Sequence, residues 1–247
     1  RPQGTYITIE APELSTPDED YHREISEEIS THLRKLIDLK KEKSVLVVGL
    51  GNAAITADAL GPQVVDNLLM TRHIIKEYGL RGIKHEKMHR ISGIAPGVMA
   101  QTGMETAEIV QGIVSETKPD VVVAIDALAA RSVRRLSRTI QITDTGISPG
   151  AGIGNHRFPV NQETMGIPVI AIGVPTVVDA NTIVINTMEE FLQKEGLAEQ
   201  DIDTFLRDVS KQSIQDLFVT PKDIEMQIRE IGKLIAGGID QFQSGME

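Results

Sequence analysis

The chain has 247 residues, a formal net charge of −10, no Cys, no Trp and 3% aromatic residues. Such acidity gives no general electrostatic reason to bind nucleic acid, whose phosphates need a basic surface. The lack of Cys excludes disulfides, thiolate nucleophiles and thiolate zinc ligands, and no apolar run approaches the ~18 residues that span a bilayer.

Residues 1–4 are a polar lead-in with no signal-like character. Tyr6 to Ile9 reads as a short strand. Thr16-Pro17-Asp18 opens a helix, with acids in its first turn opposing the helix dipole. Ile25, Ile29, Leu33, Leu36 and Ile37 recur at helical spacing through Asp38, and Lys40, Lys41 and Lys43 complement the dipole at the far end. Val45 to Leu50 is a continuous apolar run, the pattern of a strand buried on both faces. Gly61 to His73 is predicted as one helix, with Val64, Val65, Leu68 and Leu69 inward and Pro62 in its first turn, where a missing N–H costs little. A strand is expected near His89 to Ser92, a loop over residues 95–103, and a helix from Met104 to Thr117.

Val121 to Ile125 is the second strong strand and ends at Asp126; Thr139 to Ile142 is a short third. Asp144 to Gly166 is a long, glycine-rich stretch, of a length that is uncommon inside a domain unless it serves function. Val169 to Val174 reads as a strand and Pro175 to Ala180 as a turn. Helices are expected at Thr182 to Lys194, Asp201 to Leu217 and Lys222 to Phe242. Strands alternating with helices, mostly without hairpin signals, predict one α/β domain over residues 1–247. Its sheet is expected to be largely parallel and twisted, with helices on both faces.

Gly49-Leu50-Gly51-Asn52-Ala53-Ala54 fits the loose dinucleotide pattern behind a strand. That site needs its helix to begin within the motif, whereas Thr56, Asp58, Gly61 and Pro62 delay the start. Asp66, the next acid at suitable distance, falls in a helix instead of ending a strand.

Asp58 and Asp126 each follow the carboxyl end of a strong strand, the edge at which open α/β sheets place their chemistry. The plain alternatives are a helix cap for Asp58 and a pairing with Arg131 or a backbone N–H for Asp126. If the two strands are neighbours, the carboxylates meet, cannot both ionise cheaply, and share a proton. Such a pair can activate a water and polarise a carbonyl; with a His it could instead hold a divalent metal. No H-E-x-x-H pattern or G-x-S-x-G elbow is present. His156 lies in the glycine stretch, where Gly146, Gly150, Gly152 and Gly154 could offer backbone N–H groups to a substrate carbonyl or simply permit turns. Asp144 and Asp179 are further loop acids.

Five segments then carry a resemblance: VGLGN…DALGP (Val48 to Pro62), PGVM…TG-x-ET (Pro96 to Thr106), KPDVVVAIDALAARS (Lys118 to Ser132), TIQI…DTGI-x-PG-x-G-x-GN (Thr139 to Asn155) and GIPVIAIGVPTVVDA (Gly166 to Ala180), with VTPKDIE (Val219 to Glu225). Together they closely resemble the germination proteases of spore-forming bacteria. The resemblance implies a fold similar to that of hydrogenase maturation proteases and an atypical aspartic endopeptidase acting without a cofactor. It implies Asp58 and Asp126 as the catalytic pair; the glycine loop Asp144 to Asn155, with Gly146, Gly150, Gly152 and Asn155, is then expected to line the substrate cleft. It further implies small acid-soluble spore proteins as substrates, a zymogen origin, a homotetramer in the spore core, and no direct nucleic-acid or membrane partner. Against the family pattern, the chain begins at the RPQGTYITIE equivalent and is short between Gly196 and Val219.

Overall fold

The structure is a computed structural model that describes residues 2–37, 42–79, 88–150, 157–210 and 217–244. In chain order the elements are β1 (Tyr6–Glu10), α1 (Glu19–Leu36), β2 (Ser44–Gly49), α2 (Leu60–Asn67), α3 (Arg72–Tyr78), β3 (Arg90–Ile94), α4 (Met99–Thr102), α5 (Thr106–Thr117), β4 (Val121–Ala130), β5 (Thr139–Thr143), α6 (Gln162–Met165), β6 (Val169–Asp179), α7 (Ala180–Lys194), α8 (Glu199–Ser210), β7 (Phe218–Val219) and α9 (Ile224–Ser244).

The described strands form one sheet in the order β1-β5-β6-β4-β2-β3, with β7 added on β6. The four strands β3, β2, β4 and β6 run parallel. The additions β5, β1 and β7 pair antiparallel, so the parallel character runs from the β3 edge to β6 and stops there. Strand alternation divides the core in two. Val45, Val47, Val121, Val123, Ile125, Ile170 and Ile172 pack with α1, α2 and α9 on one face. Leu46, Val48, Val122 and Ala124 pack with α5 and with Val160 and Met165 on the other. Both faces of β2 are therefore buried, which is why it reads as an unbroken apolar run instead of alternating. The cap of α1 falls within the expected start: Asp18 accepts from Asp20 N and Tyr21 N, both at 3.0 Å.

Several expectations change, among them the loop expected over residues 95–103, which holds the short helix α4. The helix predicted from Gly61 to His73 is two, because α2 ends at Asn67, Leu68 turns extended and α3 starts at Arg72. Tertiary bonds win over helix continuation there: Leu69 N donates to Asp240 of α9 at 3.1 Å. Thr71 Oγ1 donates to His89 O and accepts from Ile91 N, both at 2.9 Å.

The second strong strand does not end at Asp126 but runs on to Ala130. Likewise β6 continues through the predicted Pro175 turn to Asp179. The two extensions pair with each other, and Pro175 sits where their register shifts: Leu128 faces Pro175, Ala129 faces Val177, and Thr176 is left unpaired as a bulge. A proline in a sheet is tolerated at such a bulge because the ladder is already interrupted there. Finally, α7 begins at Ala180 because Asp179 caps it, accepting from Asn181 N at 2.8 Å and Thr182 N at 3.4 Å.

Candidate active site

The strand β2 stops at Gly49, opposite Ile125 of β4. Asp126 is the next residue on β4, so the longer strand carries it past the end of its shorter neighbour. The chain leaving β2 must turn back tightly to begin α2. Gly49 and Gly61 allow this by bringing the strand exit and the helix start into backbone contact, where a Cβ on either would collide with the other segment. Gly51 has φ +110°, and a Cβ there would strike the carbonyl oxygen of Asp58. These are positions where only glycine fits.

Asp58 closes a short 3-10 turn, Thr56–Asp58, just before α2. It does not cap that helix, which has no side-chain cap bond. Its Oδ2 accepts from Asn52 N at 2.7 Å. The loop is braced from two sides. Gln101 of α4 donates to Asn52 Oδ1 at 2.8 Å, and Ala54 N donates to the same oxygen at 2.9 Å. On the other side, the hydroxyl of the bulged Thr176 donates to Ala57 O at 2.7 Å, and Thr220 Oγ1 donates to Thr176 O at 2.9 Å. The bulge thus aims a buried hydroxyl at the turn that presents Asp58.

Asp126 is buried, and its Oδ1 accepts from Ala127 N at 2.9 Å, not from Arg131. Burial pushes its carboxyl up to about 8; the nearby Asp58 adds to the rise and the Ala127 N–H opposes it. Burial also raises Asp58, countered by the Asn52 N–H. At neutral pH Asp126 is therefore the member that favours its proton. Both carboxyls line one cavity of about 260 Å³, with Leu128, Ser148, Gly150 and Phe218 among its walls.

Of the glycine-stretch residues, Gly150 (φ +71°) lines this cavity. Gly146 (φ +76°) lines a neighbouring one, held close to Val160 and Asn161. Gly152, Gly154, Asn155 and His156 lie outside the described residues. Among the described residues no group of three or more His, Asp or Glu gathers to hold a metal ion. The two other loop acids serve structure: Asp144 accepts from Thr5 N at 2.8 Å, and Asp179 caps α7. Sequence reasoning missed Thr176 and the bracing role of Asn52. The first is hidden beside a proline that signals a turn, whereas the second stands in the quoted GLGN motif.

Comparisons with known proteins identify the family. The germination protease family profile matches residues 1–215. A germination protease of Caldanaerobacter subterraneus is 45% identical across 97% of this chain and 78% of its own length. One from Clostridium perfringens is 44% identical over the same shares, and one from Bacillus velezensis is 49% identical across 81% of this chain and 54% of its own. Among solved structures, a [NiFe] hydrogenase maturation protease from Thermococcus kodakarensis aligns with 81% of this chain and 95% of its own, at 17% identity and a TM-score of 0.39. The chain belongs to the germination protease family and is, by that membership, a protease of spore germination.

Proposed function

We propose that this protease is an endopeptidase of the two-aspartate type, and that it initiates degradation of small acid-soluble spore proteins. The observation that carries the reading is the pair itself: a buried Asp126, its carboxyl pushed up to about 8, beside a partly solvated Asp58 in one cavity. Two carboxyls whose environments push their protonation apart divide the acid and base roles.

In this reading Asp58 takes a proton from a water whose oxygen bonds to the scissile carbonyl carbon. Asp126 gives its proton to the carbonyl oxygen, leaving a gem-diol. The proton on Asp58 then passes to the departing nitrogen as the C–N bond breaks. Asp126 recovers a proton from one gem-diol hydroxyl, so the pair returns to its starting state. The backbone at Gly150 stands beside this centre as a candidate contact to substrate, with Gly146 further out. Gly152 and Asn155 share that proposed role as members of the same glycine-rich stretch.

The resemblance also carries the zymogen origin, the spore-core location and the homotetramer. Exposed apolar side chains on α7 and α8, Phe191 and Phe205, add support to assembly; a monomer by light scattering would remove that part.

The test is cleavage of a small acid-soluble spore protein with and without EDTA, alongside Asp58→Asn and Asp126→Asn. Cleavage should survive chelation and fall by about 10²–10⁴-fold in each variant. The wild-type rate should fall as pH rises through about 8, where Asp126 loses its proton, and should also fall in acid as Asp58 gains one. Loss of activity on chelation, or full activity in either variant, would sink the mechanism.

A further inference from the structure

Over β2 and β4, side chains from α5 and α6 close the face of the sheet that carries α5. Over β6, β5 and β1, no helix among the described residues covers that face, and a groove of about 540 Å³ runs there. The strands prepare that groove residue by residue. Ile9, Ile140, Ile142, Ile170 and Ile172 turn to the opposite face and are buried. The alternate positions, Thr8, Gln141, Thr143, Ala171 and Gly173, line the groove and are polar or small. Alternation of this kind is expected of a sheet with one dry face, but β6 adds two positions with almost no side chain. Thr8 and Gln141 stand opposite each other in the β1–β5 register, and no hydrogen bond occupies either side chain among the described residues.

The groove is continuous with the aspartate cavity. Leu128 and Ser148 line both. Leu128 lies over Gly173, where a Cβ would meet it, so its side chain stands at the boundary between the two spaces. An endopeptidase must admit polypeptide on both sides of the bond it cuts, and a cavity of about 260 Å³ houses only a short stretch of it.

We infer that the groove over β6, β5 and β1 is a subsite for the substrate polypeptide. It receives extended chain on one side of the scissile bond, with the free amide of Gln141 and the hydroxyl of Thr8 available to the main chain. This rests on the reading of Asp58 and Asp126 as the hydrolytic centre. Its floor is pleated backbone and short polar groups, which suit an extended main chain, and Arg131, Arg135 and Leu128 stand among its walls.

Gln141→Trp and Thr8→Trp fill the groove from two different strands, and both are strand-compatible replacements. Two substrates separate the effect: an intact small acid-soluble spore protein, and a short peptide confined to its cleavage site. Each Trp variant should raise KM for the intact protein about tenfold, with kcat within about twofold and the short peptide unaffected. In an Asp126→Asn background, where nothing is cut, binding of the intact protein by fluorescence anisotropy should weaken about tenfold when either Trp is added. Equal losses on long and short substrates, or no loss on either with unchanged binding, would overturn the subsite. If Asp126→Asn alone still cleaved, the catalytic reading would fail, while the anisotropy comparison would still decide the groove.

Discussion

Asp58 and Asp126 are the same residue type in one cavity, yet the chain holds them by opposite means. Asp126 sits on a strand, where the ladder fixes its position and the sheet buries it. Asp58 sits on a loop, where no ladder exists and position comes from Asn52 N, the tight Gly51 turn and the Thr176 hydroxyl. Burial raises both carboxyls and one backbone N–H opposes the rise in each; the deeper burial on the strand, with Asp58 beside it, lifts Asp126 to about 8. In the proposed mechanism, asymmetry of role follows from this asymmetry of scaffold.

The comparison breaks most visibly on the strand side. The carboxyl of Asp126 is raised to about 8 when folded, against an ordinary value near 4 when unfolded. Between those values the folded state holds a proton that the unfolded state has released, so stability falls as pH rises through that window and levels off above it. Asp126→Asn, which cannot ionise, should therefore be as stable as wild type near pH 4 and more stable above pH 8, by an amount on the order of a few kcal/mol. Thermal melts across that range check this; a constant gap would mean that Asp126 is not the group responsible.

On the loop side, Gly51→Ala forces a methyl against the Asp58 carbonyl at φ +110°. It should cost about 1–3 kcal/mol and lower kcat more than KM, as read by denaturant melts and steady-state kinetics. A silent Gly51→Ala would show that the loop relaxes without moving Asp58. The smallest effect belongs to Thr176→Val, which keeps the shape of the bulge and removes one hydroxyl bond to Ala57 O. A loss of about 1 kcal/mol with a several-fold lower kcat separates positioning from mere packing; the same stability loss with kcat intact would leave Thr176 a packing residue.

Much of this was legible in the chain. The unbroken apolar runs Val45 to Val48 and Val121 to Ile125 are β2 and the start of β4, and they are neighbours in the sheet as the aspartate argument required. The delayed helix start after Gly51 is real: α2 begins at Leu60. What stayed hidden was set by partners distant in sequence. Nothing local marks β4 as continuing past Asp126, because Ala127 to Ala130 is held by pairing with β6. Pro175 signals a turn by its own chemistry and becomes part of a strand only where a register shift excuses its missing N–H. The break at Leu68 needs Asp240 and Gln243, more than 170 positions away, to make sense of it. The half of the sheet under the groove could not be read at all, since strands with one dry face alternate in the same way whether or not a helix lies over the other.

The pairing of β7 with β6 has a practical consequence for anyone preparing this enzyme. The family match stops at residue 215, which invites an expression boundary there. Phe218 forms part of the wall of the aspartate cavity, Thr220 holds the backbone of Thr176, and Ile231, Leu234, Ile235 and Ile239 of α9 plug the core beneath the sheet. A protein cut at that boundary would keep both aspartates and lose part of the wall of their cavity and of the core beneath the sheet. It would be recognised by its sequence as a protease while lacking the dry interior that makes it one.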